Sequence, residues 1–302
     1  MLDRFLKQLG RQNESKGGAD SLATREVSEI PVQPGGGSGS GEEQGPAGSE
    51  ELRRHELKGA TSVVFANSKG GVGKSTVAFM TCLNLAIEEP DSRIEFIDLD
   101  RQATTSESLH RFVNAKFKLV SDPEFILASG GPNNARIYQH LRADYVRSSE
   151  SERRFVFFDT PAGTTPAEYS FMLDANYLFV PTSASDADLT ATKKFLSRLF
   201  DPNPQINSGG KIEFLPTVVV IPNLLDDRSE ILQIYRTLKE FPCYLGQPIF
   251  YSKVFRSTFS YGISDHNVVK LMQMTKEFGG WVVKIINDDG LTSIRPSSLR
   301  QI

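Results

Sequence analysis

Residues Ser62 to Ile87 constrain this chain more than any other stretch. Ser62-Val63-Val64-Phe65-Ala66-Asn67 is a β-prone apolar run, Ser68-Lys69-Gly70-Gly71-Val72-Gly73-Lys74-Ser75-Thr76 is rich in glycine, and Val77 to Ile87 carries helical apolar spacing. A strand that enters a glycine loop and leaves as a helix can curl its backbone N–H groups round phosphate oxygens, and the helix N-terminus adds a favourable dipole. At that place Lys74 is expected to reach the β- and γ-phosphates, and the Ser75 hydroxyl to ligate Mg²⁺. Gly70, Gly71, Val72, Gly73, Lys74, Ser75 and Thr76 are therefore the expected phosphate cradle. The complete Gly-Lys-Ser ending in a strand-to-helix setting leaves little room for a glycine turn that binds nothing.

The rest of the chain fits one α/β domain. Apolar runs predict strands at 62–67, 93–98, 154–159, 176–181 and 214–221. Helical spacing lies between them at 75–88, 134–147, 186–200 and 227–240, and a last helix is expected from Val268 to Ile286. Continuous apolar strands that alternate with helices predict a mostly parallel twisted sheet with helices on both faces. This α/β domain, a single P-loop NTPase domain, is expected over 58–287, with a tail over 288–302. At 302 residues, 39% hydrophobic and 24% charged, the chain can bury a sizeable core. A net charge of −3 excludes a wholly basic nucleic-acid coat protein, so any DNA contact must come from a local patch. No apolar run approaches the ~18 residues of a membrane span. Met1 to Arg11 holds Asp3, Arg4 and Lys7 and no apolar h-region, so no secretory leader is expected. Cys82 and Cys243 stand far apart, as neither a disulfide framework nor a CxxC metal pair.

The N-terminal segment has a different character. Pro31 to Glu50 holds seven Gly and three Pro, and no Phe, Tyr or Trp occurs between Phe5 and Phe65. Residues 13–57 are expected to form a flexible, disordered linker, because they cannot bury enough apolar surface to offset their conformational entropy. Ahead of it, Leu2, Phe5, Leu6 and Leu9 share one helical face, with Arg4, Lys7 and Arg11 elsewhere. Residues 1–12 read either as a frayed terminus or as a short amphipathic helix for a membrane surface or a protein partner.

The loop departs from the ordinary G-x-x-x-x-G-K-[ST] spelling: its first glycine position is Ser68, and a second lysine, Lys69, stands five residues before Lys74. Lys69-Gly70-Gly71-Val72-Gly73-Lys74-Ser75 resembles the deviant Walker A loop of the ParA/MinD ATPases. Two further segments extend the resemblance. Asp98-Leu99-Asp100-Arg101-Gln102 resembles the Asp-x-Asp-Pro-Gln switch I, with Arg101 in place of the proline, which puts the stiffness of that loop in doubt. Phe155-Val156-Phe157-Phe158-Asp159-Thr160-Pro161-Ala162-Gly163 resembles switch II. The glutamine favours the ParA branch. The resemblance covers residues 60 to 285.

It implies a slow, Mg²⁺-dependent ATPase with ATP and Mg²⁺ as cofactors. Lys69 would cross a dimer interface to the partner's nucleotide, Lys69, Lys74 and Asp100 would serve catalysis, and Asp100 would orient the attacking water. Ser75, Asp98 and Asp159 would support the Mg²⁺ shell, and Gly163 would let switch II respond to the γ-phosphate. After the strand Thr217 to Ile221, Pro222-Asn223 places Asn223 where the family reads adenine. No Asn/Thr-Lys-x-Asp guanine motif is complete, so ATP is expected over GTP. Pro248-Ile249-Phe250 is expected to lie near the base.

Lys253 and Arg256 are the candidates for non-specific DNA contact, with Lys193, Lys194 and Arg198 as an extension of the patch. The expected partners are a second copy of the chain, non-specific DNA, and a ParB-like or other stimulating protein. The expected site is the cytoplasm, on the nucleoid or peripherally at the inner membrane surface. Two functions stay open: a ParA-like switch that partitions plasmid or chromosomal DNA or positions a cargo, and a MinD-like membrane-cycling regulator that uses residues 1–12 as its anchor. The nitrogenase iron-protein and tail-anchor-targeting branches need cysteine pairs that Cys82 and Cys243 do not form.

Overall fold

The computed structural model describes residues 60–102, 104–109, 117–120, 123–127, 131–147, 153–200, 216–257, 265–287 and 300–301. The expected helix at 1–12 and the linker at 13–57 lie outside the described residues. Among the described residues, eight strands follow in chain order: β1 (Ala60–Phe65), β2 (Arg93–Asp98), β3 (Phe117–Val120), β4 (Arg154–Asp159), β5 (Tyr177–Thr182), β6 (Thr217–Pro222), β7 (Tyr244–Leu245) and β8 (Arg300–Gln301). They form one sheet in the order β3-β2-β4-β1-β5-β6-β7-β8. The first seven run parallel, and β8 pairs antiparallel with β7.

The central strands are buried on both faces, which is why they read as unbroken apolar runs rather than as alternations. Strand alternation sorts their side chains into two layers. Val63, Phe65, Phe96, Phe155, Phe157 and Phe179 point into a layer shared with α1 (Lys74–Glu88), α7 (Asp265–Met274) and α8 (Lys276–Asn287). Val64, Ile97, Val156, Phe158, Leu178 and Val220 point into the opposite layer. It is closed by α3 (Asn134–Arg147), α4 (Asp186–Phe200) and α5 (Ser229–Leu238). Each fully buried Phe or Leu contributes roughly 1.5–3 kcal/mol relative to exposure, so both layers help hold the sheet. Among the described residues, no helix is long and apolar enough to cross a membrane.

The expected strands and helices recur, those at 93–98, 134–147, 154–159 and 186–200 with the same bounds and the others with ends shifted by no more than three residues. One expectation fails: the last helix is not continuous. It divides into α7 and α8 on either side of Thr275, whose hydroxyl and backbone N–H both donate to the Leu271 carbonyl at 2.9 Å. A side chain that competes for its own helix carbonyl favours a break of this kind. Three short strands (β3, β7, β8) and two short helices, α2 (Thr104–Leu109) and α6 (Lys253–Ser257), were not legible. Two to six residues are too few to show periodicity.

The strand order positions the site. β4 lies between β1 and β2, so the C-terminal ends of three neighbouring parallel strands stand side by side. Asp159 pairs in register with Phe65 on one side and with Asp98 on the other. The chain leaves β1 for β2 and β3 on one flank and later fills β5 to β7 on the other. The crevice where that order reverses is the place at which open α/β sheets bind ligands.

Candidate nucleotide and metal site

The glycine loop joins β1 to α1 with two residues in the left-handed region, Gly71 (φ 81°) and Gly73 (φ 91°). Gly73 is the N-cap of α1, no side chain caps the helix, and its first turn holds no acid. The first N–H groups of α1 therefore keep their donors for an anion. Gly73 is also a close-approach position. A Cβ there would stand 2.1 Å from Asn223 Nδ2, which donates to the Val72 carbonyl at 2.8 Å. Asn67 braces the other side of the loop. Its Nδ2 donates to the Pro181 carbonyl and to Thr192 Oγ1, and its Oδ1 accepts from Lys69 N–H.

Lys74 lies across this loop, 6% exposed, with Nζ donating to the Lys69 carbonyl at 3.1 Å. Burial lowers its pKa, and the charges of Asp159 and Asp100 oppose that shift. Lys69 keeps 43% of its side chain exposed, with Nζ 3.9 Å from Asp188 Oδ1 at the start of α4.

The acids meet on the neighbouring strand ends. Asp98 is 3% exposed. Its Oδ1 accepts from Asp100 N–H at 3.1 Å, and its Oδ2 from Ser106 N–H at 3.0 Å. Asp100 in turn accepts from Gln102 N–H, which folds switch I into consecutive side-chain-to-backbone turns. Arg101 stands where the family motif has proline, and its Nη2 donates to the Leu127 carbonyl at 3.3 Å. A long-range hydrogen bond thus ties the loop at this position. Asp159 is fully buried, and its Oδ2 accepts from Thr105 Oγ1 at 2.8 Å. Its Oδ1 is buried with no hydrogen-bond partner among the described residues. Its pKa is pushed up to about 7, first by burial and then by the Asp98 charge. The Ser75 and Thr105 hydroxyls and the Lys74 ammonium pull the other way. Burial also raises the Asp98 pKa.

Two buried carboxylates side by side, one with an unpartnered oxygen, suit a divalent cation. Among the described residues no three His, Cys, Asp or Glu converge as a metal cage. Mg²⁺ does not need one: it is held by one or two carboxylates together with waters and substrate phosphates. Asp159, Asp98 and the Ser75 hydroxyl fit that donor set.

Beside the acids, a cavity of about 380 Å³ opens between the two switches, lined among others by Leu99, Asp100, Pro161, Gly163 and Tyr169. Gly163 is in the left-handed region (φ 84°), and its N–H donates to the Ser68 carbonyl, so switch II leans on the glycine loop.

The remaining expected residues are placed as follows. Asn223 is 2% exposed at the end of β6, and its amide nitrogen braces the glycine loop. Ile249 is buried in the core, and Phe250 is 38% exposed. Lys253 is exposed at the start of α6, which also carries Arg256. Val254 and Phe255 of α6 enter the α1 layer, whereas Leu189 and Phe195 of α4 enter the other. The lysines of α4 thus sit on an element of the opposite layer, and Lys193 is paired with Glu240. Thr105, Asn67 and Asp188 were missed. A lone Thr, Asn or Asp carries no spacing signal, and its role depends on long-range contacts.

A family model described as an AAA domain matches residues 60–122. Comparison with curated proteins gives no match. Among solved structures, the apo McdA of Cyanothece shares the fold at TM-score 0.52 and 17% identity, over 76% of this chain and 99% of its own. The ATP complex of a Cyanothece McdA variant gives 0.51 and 16%, over 78% and 99%. A ParA family ATPase from Chlorobium tepidum gives 0.51 and 15%, over 74% and 98%. These likenesses are of fold: a mostly parallel sheet whose first strand runs through a glycine loop carrying Lys69 and Lys74 into a helix.

Proposed function

We propose that this protein is a ParA-like ATP switch. It binds Mg²⁺ and ATP at the crevice above β1, β2 and β4, closes as a two-chain sandwich through Lys69, holds a matrix in that state, and is reset by hydrolysis. One observation carries the reading. Lys74, Asp98 and Asp159 converge at adjacent strand ends beside an uncapped helix N-terminus, with a half-exposed second lysine in the same loop. The similar Cyanothece protein is described in complex with ATP, which supports ATP as the nucleotide here.

Bound Mg²⁺ supplies charge neutralisation at the phosphates. The chain's own part is positioning, which is most of what phosphoryl transfer asks of a protein. The loop N–H groups and the Lys74 ammonium orient the phosphates. Asp159, Asp98 and Ser75 hold the cation. Asp100, held by its own turn, orients the attacking water. Lys69 reaches out of the loop to the second chain, so that nucleotide binding and dimerisation become one event.

The first test uses Asp100→Ala protein with ATP and Mg²⁺, with ADP as control, titrated against random duplex DNA and against anionic vesicles at two salt concentrations. ATP-dependent DNA binding that falls with salt supports a DNA-partitioning switch. Lipid binding without DNA binding supports the second reading, a MinD-like membrane cycle anchored by the amphipathic pattern of residues 1–12. Binding that does not depend on ATP overturns both.

A further inference from the structure

One short element touches both switch acids. α2 begins two residues after Gln102, and two of its consecutive residues reach different strands. Thr105 Oγ1 donates to Asp159 Oδ2 at 2.8 Å, and Ser106 N–H donates to Asp98 Oδ2 at 3.0 Å. Thr105 is 2% exposed and Asp159 is fully buried, so water does not compete for this bond. The contact joins residues 54 positions apart in sequence. With Oδ2 held by Thr105, the carboxylate can turn only by breaking a buried hydrogen bond, which leaves Oδ1 as the oxygen free for a cation.

We propose that Thr105 is a positioning residue that couples the two switches: it fixes the Asp159 carboxylate so that Oδ1 is presented to Mg²⁺, and it passes any displacement of switch I to switch II. This rests on the ATP-switch reading for its Mg²⁺ part alone; the coupling is a property of the nucleotide-free chain. Three observations support it. The bond is buried at both ends. Asp98 is simultaneously tied to switch I through Asp100 N–H and to α2 through Ser106 N–H. Across the strand ends, Asp98 and Asp159 are register partners, so a shift of α2 acts on both acids together. Outer-shell partners that orient a ligand in this way are typically worth 10–100-fold in metal affinity or activity.

The test compares full-length wild type with Thr105→Val, which keeps the volume and removes the donor, and Thr105→Ser, which keeps the donor. In the nucleotide-free proteins, hydrogen exchange is followed at 159–163 and 98–102. Thr105→Val is expected to raise exchange in both segments and Thr105→Ser to leave both near wild type. Mn²⁺ and Mg²⁺ titrations with ATP are then expected to show about a tenfold weaker metal dependence in Thr105→Val, with ATP affinity without metal unchanged and Thr105→Ser restored. Unchanged exchange at both segments in Thr105→Val overturns the coupling, and wild-type metal affinity in that variant overturns the presentation of Oδ1. Failure of wild-type protein to bind Mg²⁺ with ATP overturns the ATP-switch reading and the metal part with it. The exchange result still decides the coupling. If Thr105→Val does not fold, Thr105→Ala is measured in the same two assays with the same two criteria.

Discussion

Lys74 and Gly73 share one loop but depend on it differently. On the proposed reading the Lys74 ammonium faces the phosphates, so Lys74→Ala is expected to lose nucleotide binding by at least 100-fold in a fluorescent-nucleotide titration, with little change in melting temperature. Gly73→Ala attacks the loop itself. The new Cβ meets Asn223 Nδ2 at 2.1 Å in a backbone conformation that costs L-residues about 1–2 kcal/mol before any clash. Gly71→Ala shares the positive φ but meets nothing within 4 Å. Gly73→Ala is therefore expected to lower both melting temperature and nucleotide affinity more than Gly71→Ala; equal losses would remove the brace from Asn223. On the same proposed reading, Lys69 and Asp100 separate the later steps. Lys69→Ala is expected to bind ATP and stay monomeric by light scattering. Asp100→Ala is expected to dimerise and to turn over at least tenfold more slowly in a phosphate-release assay.

At the scale of elements, α1 and α8 pack unusually closely. A Cβ on Gly279 would lie 2.1 Å from the Asn84 side-chain oxygen and 2.7 Å from its Cβ, whereas one on Gly280 meets nothing within 4 Å. Gly279→Ala is expected to destabilise the protein by about 1–3 kcal/mol through overpacking. Gly280→Ala lies in an open helical position and is expected to stabilise it by about 0.4–1 kcal/mol. Urea unfolding of the pair measures both, and a destabilised Gly280→Ala would show that α8 tolerates no added side chain on either face.

At the scale of the whole molecule, buried acid groups act on the pH dependence with opposite signs: Asp159 and Asp98 are shifted up, and Glu95 is shifted down. Asp159 has a folded pKa near 7, above its ordinary 3.8. Between those values the folded state holds more protons than the unfolded one, so stability falls as pH rises from about 4 to about 7. Glu95 behaves the other way. Burial alone would raise its pKa, but hydrogen bonds from His140 and Lys118 and their charges hold it at about 2, below the ordinary 4.5. Its contribution is present above about 4.5 and is lost as pH falls towards 2. The nucleotide-free protein is expected to melt at the highest temperature near pH 4–5, and Asp159→Asn is expected to flatten the slope between pH 5 and 7. A slope that persists in that variant would assign it to other groups. Deleting residues 1–12 is expected to leave the ATPase and its melting temperature unchanged while reducing any vesicle binding, measured by flotation. Vesicle binding equal to that of the full chain would remove the anchor role.

Much of this was written in short stretches of sequence. The glycine loop, Lys69 and Lys74 are contiguous, and the central strands are unbroken apolar runs because a parallel sheet covered on both faces demands it. Asp98 and Asp159 were visible as acids at strand ends, since a strand that stops in a charged residue needs no partner to be noticed. The tertiary structure decided what depends on strand order. β4 enters between β1 and β2, and only that arrangement makes Asp98 and Asp159 register neighbours and brings Thr105 within 2.8 Å of a carboxylate 54 residues away. It also closed Asn223 and Asn67 onto the loop and put α4 and α6 in opposite layers. Local patterning reports which face of an element is apolar; which elements become neighbours is fixed by how the two layers close, and single polar residues acquire their roles only there.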